Sequence, residues 1–232
     1  PWWRDDSATF RGRVMRTLGG RFPQAALREI QAFKGGEGID YAREALDAIV
    51  APAKPHLIII GIGINDAHAA DGENPAVAAA DFAGRFDALL ARAAATGAEV
   101  VIHTSMETNP FDANGDARRW PAYREAMLAA AARHGAGVAD TFAAWQWQQA
   151  CGVPPFSQLH NRINHPGAGG HALFADTILG FFPERAGGRR AGTARPPGSG
   201  RFDWLPAAVR CYGSSSAERT EMSKSVTRHV FT

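Results

Sequence analysis

Between about residue 8 and residue 183 the pattern of apolar and polar positions changes period repeatedly. Phe10, Val14, Met15 and Leu18 recur at helical spacing, and Gly19-Gly20 closes that segment. Leu27 to Phe33 alternates in part and ends at Gly35-Gly36, which predicts a strand. Tyr41 to Val50 reads as a helix closed by Ala51-Pro52. Leu57 to Ile62 is a dense, isoleucine-rich run. Apolar on both faces, it fits a central parallel strand covered by helices on both sides. Pro75 opens an alanine-rich helix that ends near Gly97, and Val100 to His103 is the next strand. A helix over Pro121 to Arg133, a short strand over Gly137 to Asp140 and a helix over Thr141 to Ala150 follow. Residues 152–168 read as loop, and Gly170 to Phe182 as the closing helix. Strand alternating with helix over short connections predicts a three-layer α/β/α architecture around a doubly wound parallel sheet. In such sheets ligands bind beyond the carboxyl ends of the strands, so the loops just after the strands should carry the chemistry.

Composition confines this domain to residues 1–184. From residue 185 to residue 232 the chain is rich in Arg, Gly and Pro, without periodicity, and reads as a disordered extension. The charge follows the same division. The tail carries nine Lys/Arg against three Asp/Glu, whereas the first 184 residues carry sixteen against twenty. The basicity belongs to the tail, so the net charge of +2 gives no ground for nucleic-acid binding by the folded part. The longest apolar run, Leu57 to Ile64, contains two glycines and falls far short of the roughly 20 residues a membrane span needs. The chain starts at Pro1 with no leader pattern, so its natural N-terminus is expected to be absent, and localisation stays open between cytoplasm, periplasm and outside. Cys151 and Cys211 lack metal-like spacing; a disulfide between them is open, but two unrelated thiols are the preferred reading.

Three loops are chemically distinctive. KGGEG, Lys34 to Gly38, follows the strand expected at 27–33, and its glycines allow positive φ and close approach of backbone N–H groups to a ligand. GIGIND, Gly61 to Asp66, follows the central strand. A dinucleotide loop would place a third glycine where Asp66 stands; a carboxylate there repels a pyrophosphate, and no helix is expected immediately afterwards. Asn65 can instead donate its amide to a developing oxyanion. NRINHPGAGGHALFAD, Asn161 to Asp176, sets His165 before Pro166, which holds it in a non-helical loop, while His171 is expected to cap or pack the helix. A zinc site on His165 and His171 lacks a third ligand at suitable spacing, so no metal is expected.

Taken together these loops resemble the SGNH, or GDSL, hydrolase family over about residues 8–183. The G-x-N-D block is matched by Gly63-Ile64-Asn65-Asp66, the glycine block by KGGEG, and the second half of the D-x-x-H-P block by INHPGAGGH. The resemblance implies a flavodoxin-like sheet and serine-dependent hydrolysis of a small carboxylic ester, with no cofactor. It implies His165 as general base and Gly36 and Asn65 as oxyanion donors, with Gly63 and Asp66 shaping the loop.

Two positions depart from that pattern. Arg162 stands three residues before His165, where the family has Asp, and an arginine cannot accept the imidazole N–H. Asn161 or a backbone carbonyl would then orient the ring. At the other end only PWWRDD precedes Ser7, too little to build a buried strand ending in a G-D-S turn. Ser7 therefore reads as a helix N-cap more readily than as the nucleophile; the first strand and its serine are expected upstream of Pro1. Ser105 is a spare candidate on the wrong strand. The alternative is a non-catalytic binding domain that keeps the cleft without a nucleophile. Substrate walls are expected from the loops at 67–75 and 106–120, whose Glu107, Asn109, Phe111, Arg118, Arg119 and Trp120 would suit a sugar ester, with lipid and aryl esters equally open.

Overall fold

The computed structural model describes residues 6–69, 75–106, 108–111 and 116–183. The expected tail at 185–232 and Glu107 lie outside them. Among the described residues three parallel strands form one sheet in the order β1-β2-β3: β1 is Leu57–Ile60, β2 Glu99–His103 and β3 Gly137–Ala139. Leu57 pairs with Glu99 and Ile60 with Ile102, and Val101 pairs with Gly137, so all three strands open their carboxyl ends on the same side.

Among the described residues there are seven α-helices, and all but α3 follow the alternation expected from the sequence. They are α1 (Phe10–Arg21), α2 (Ile39–Ala45), α3 (Ile64–Ala69), α4 (Pro75–Ala94), α5 (Asp116–His134), α6 (Thr141–Ala150) and α7 (Ala168–Leu179). Residues after α2 continue as a π-turn over Leu46–Val50 and a 3-10 turn over Ala51–Ala53, which Lys54 ends in a left-handed conformation (φ 50°). One face of the sheet is covered by Phe82, Phe86 and Leu90 of α4 and Trp120, Tyr123 and Met127 of α5, packed on Ile58, Ile60 and Ile102. On the other face Val14 and Leu18 of α1 meet Ala175, Ile178 and Leu179 of α7 over Val101 and Ala139. Helices on both faces of a parallel sheet make the three-layer arrangement the pattern predicts.

Three expectations are corrected. Residues 27–33 form no strand: the segment makes no ladder bonds with β1, and Leu27 and Phe33 stay 41% and 56% exposed. Alternation alone does not make a strand where no neighbouring backbone takes up the N–H and C=O groups; Phe33 is covered instead by the Arg11 guanidinium, 3.9 Å from its ring centre. Secondly, a helix does start directly after the GIGIND glycines. At six residues α3 is under two turns long, too short to show a period. Thirdly, Cys151, at the C-cap of α6, is disulfide-bonded rather than a free thiol; Cys211 lies outside the described residues. No helix among the described residues is long and apolar enough to cross a membrane.

Candidate active site

The loop leaving β1 is shaped by Gly63. Its φ of +108° is one that side chains rarely adopt, and a Cβ there would lie 3.0 Å from Phe82 and 3.1 Å from Trp120. The backbone thus rests directly on the aromatic core and delivers Asn65 and Asp66 into the first turn of α3. Trp120, expected in a substrate wall, is fully buried beneath this loop. Arg119 likewise turns inward, its Nε donating to the Ala67 carbonyl at 2.6 Å. Phe111, 81% exposed, remains available as a wall.

Asn65 and Asp66 both reach the KGGEG loop. The Asn65 Nδ2 donates to the Glu37 carbonyl at 2.9 Å, and the Ile39 N–H donates to Asp66 Oδ1, also at 2.9 Å. The second bond satisfies an orphan donor at the start of α2, whose N-cap, Gly38, has no side chain to do so. Burial raises the Asp66 carboxyl above its ordinary pKa against the lowering effect of the Ile39 N–H. Its Oδ2 is buried and finds no hydrogen-bond partner among the described residues. Asp66 thus ties the loop after β1 to the start of α2. Gly36, next to the clamped Glu37, has φ +81° and nothing within 4 Å of where a Cβ would stand, so its backbone borders open space. Lys34 pairs with Glu37 across the turn.

His165 sits on a narrow loop closed by an antiparallel bridge between Leu159 and Pro166. The His160 N–H donates to the His165 carbonyl at 2.7 Å and the Gly167 N–H to the Gln158 carbonyl at 2.6 Å. Asn109, in the loop after β2, ties this hairpin to the sheet: its N–H donates to the Ile163 carbonyl (2.7 Å) and its Nδ2 to the Arg162 carbonyl (2.8 Å). Arg162 takes a left-handed φ of +60° to allow this. Around the imidazole, Asn164 Oδ1 lies 2.7 Å and Asn161 Nδ2 3.0 Å from His165 Nδ1. Asn161 was foreseeable as a ring partner; Asn164 was not, because nothing in the spacing distinguishes a residue adjacent to the histidine.

The structure thus brings the Gly36 loop and Asn65 together by direct hydrogen bonds. It hangs the His165 loop from the segment after the neighbouring parallel strand. Ser7 stands in an exposed 3-10 turn (Asp6–Ala8). It is not the N-cap of α1 either; Thr9 is, accepting the Gly12 N–H at 3.3 Å. Ser105 directs its hydroxyl at the Met106 sulfur, 3.5 Å away. His171 does cap a helix, though not its own: its Nδ1 accepts the Phe10 N–H at the start of α1, 3.3 Å away. His103, at the end of β2, packs against Phe10 and Phe174, each ring centre 5.3 Å away, with its Nδ1 buried. Burial pushes both imidazoles down to about 4, with the Arg13 charge adding to the effect on His171. No group of three or more His, Cys, Asp or Glu able to hold a metal occurs among the described residues.

The model of the GDSL-like lipase/acylhydrolase family matches residues 2–173. The chain belongs to that family. Solved structures agree on the fold. LAE5, an alpha/beta hydrolase enzyme from the metagenome of Lake Arreo, superposes with a TM-score of 0.62 at 24% identity, over 74% of this chain and 80% of that one. The acetylxylan esterase Axe2 from Geobacillus stearothermophilus superposes with a TM-score of 0.63 at 20% identity, over 74% and 79%. Catalytic mutants of Axe2 that replace a serine, an aspartate and a histidine match equally well. No curated protein matches the chain in sequence.

Proposed function

We propose that this domain performs serine-dependent hydrolysis of a small carboxylic ester, with an acylated carbohydrate as one candidate substrate. The observation that carries the reading is the bond from Asn65 to the Glu37 carbonyl. A carboxamide has two N–H groups; with one held by Glu37, the amide plane is fixed and the second N–H is left for an oxyanion. Backbone beside the same loop, at Gly36, borders open space and supplies the neighbouring donor. Preorganised donors of this kind stabilise the tetrahedral intermediate because they need no reorientation as charge develops. His165 is the general base that takes the serine proton and returns it to the leaving alcohol. Its side chain is exposed on a loop hung from the same side of the sheet. No cofactor takes part in this scheme.

The nucleophile is proposed to lie before Pro1, with Ser7 as the fallback. Incubation of the full gene product with a fluorophosphonate, followed by peptide mapping, identifies the serine. Turnover of p-nitrophenyl acetate that disappears in His165→Ala supports the reading; no turnover, or full turnover in that variant, refutes it. The exposed turn that carries Ser7 favours a second reading, a binding domain with the same cleft and no nucleophile, and an unlabelled protein that still binds acetylated sugars would establish it.

A further inference from the structure

Arg162 replaces the carboxylate that would orient the histidine, and the loop answers this with two asparagines. The Asn161 side chain accepts three backbone N–H groups on one atom, from Ile163, Asn164 and His165, each at 3.0 Å. Only an oxygen can do this, which fixes the amide's orientation beyond the usual O/N ambiguity. Its other atom is therefore the nitrogen Nδ2, a donor, and it faces the Asn164 side chain at 2.9 Å. A donor cannot face a donor, so Asn164 presents its oxygen. That oxygen lies 2.7 Å from His165 Nδ1. Two acceptor lone pairs at this distance repel, so the hydrogen between them comes from the ring. Asn161 Nδ2 and His165 Nδ1 lie 3.0 Å apart because both converge on this one oxygen, whose 2.7 Å contact with the ring is the shorter. The oxygen's two lone pairs then take one N–H from Asn161 and one from His165.

From this chain of constraints we infer that Asn161 and Asn164 form a relay that sets the tautomer of His165, holding its proton on Nδ1 and leaving Nε2 as the free base. The usefulness of that tautomer rests on the hydrolase reading, since a general base needs an open Nε2; its existence does not. Asn164 is thus a positioning residue. It reproduces the orienting half of a triad aspartate's work, but being neutral it offers no charge to an imidazolium. The wrong tautomer behind a serine nucleophile costs about 10⁴ in rate where it has been imposed, so this local network would decide between a working dyad and an idle one.

The test is ¹⁵N NMR of the histidine rings in the intact chain at about pH 8, above the ordinary histidine pKa, with His165 assigned by its absence in His165→Gln. The expected parent spectrum shows a protonated-type Nδ1 and an unprotonated-type Nε2. In Asn164→Leu the remaining neighbour of Nδ1 is the Asn161 donor, so the proton moves to Nε2 and the two shifts exchange. Asn164→Asp keeps an acceptor in place and keeps the parent tautomer. An Nε2-protonated parent ring, or an Asn164→Leu ring unchanged from the parent, overturns the inference whatever the esterase assay gives. Conversely, the expected tautomers in a protein without turnover leave the relay standing and refute only the hydrolase reading.

Discussion

The Asn65 side chain and the Glu37 backbone, 28 residues apart in sequence, are joined by a 2.9 Å hydrogen bond. The two loops that would supply the oxyanion donors are therefore a single mechanical unit. Asn65→Ala removes a donor and the tie together, and kcat for p-nitrophenyl acetate is expected to fall by about 10²–10³. Asn65→Asp should be no milder, because a carboxylate oxygen then faces the Glu37 carbonyl. Faster amide exchange over residues 34–38 in both variants, measured by hydrogen exchange, separates loss of the tie from loss of the donor alone.

Glycine replacements should rank by crowding. Gly36→Ala meets only the cost of a positive φ, about 1–2 kcal/mol, since its surroundings are open. Gly63→Ala adds contact with Phe82 and Trp120 and should exceed that cost by about 1 kcal/mol or more. Urea unfolding of the two variants side by side decides the order; equal losses would mean that the loop can lift off the aromatic core.

Asp66 gives a less intuitive expectation. Burial raises its folded-state pKa above the unfolded value, so the folded state holds the proton more tightly. Its favourable contribution is complete below the unfolded pKa and is lost as pH rises through the folded one. Asp66→Asn keeps an oxygen for the Ile39 N–H without a buried charge. The variant should be at least as stable as the parent at pH 7, with its advantage vanishing towards pH 4. Chemical denaturation at several pH values tests this, and a clear loss at pH 7 would show that the charge itself is needed.

His103 and His171 act in the opposite direction. Both are depressed to about 4, so between that pH and the ordinary value near 6.5 the unfolded chain binds the additional protons. Their contribution is present above about pH 6.5 and is lost as pH falls towards 4. Each adds a slope of up to about 1.4 kcal/mol per pH unit, less for the partly exposed His171. His171→Gln, which keeps an acceptor for the Phe10 N–H, should flatten that slope; an unaltered acid limb would assign the acid sensitivity elsewhere.

Periodicity was sufficient for the doubly wound sheet and for both helical layers, because burial on two faces leaves uninterrupted apolar runs in strands and regular stripes in helices. It failed at 27–33, where strand character depends on a neighbour rather than on the segment itself, and at α3, which is shorter than the period that would reveal it. Residue chemistry pointed to Gly36, Asn65, Asp66 and His165, and the structure ties the first three into one unit. The α1 cap was read at Ser7, two residues before Thr9, which fills it, because a short 3-10 turn precedes the helix. Trp120 was read as a substrate wall because burial of an aromatic side chain is decided by tertiary packing. Asn164 was missed because its part depends on the direction of a neighbouring amide, which only the three backbone donors around Asn161 determine.

The hairpin closed by Leu159 and Pro166 also bears on how such a domain can change over time. Among the described residues, the atoms that aim the imidazole belong to a stretch of five consecutive residues, 161–165, anchored to the body mainly through Asn109. The end proposed to handle the proton can therefore be exchanged, lost or regained by substitutions within one surface loop, without disturbing the strands or the Asn65–Glu37 unit. Descendants of one scaffold could then diverge into busy hydrolases and silent receptors through a few codons.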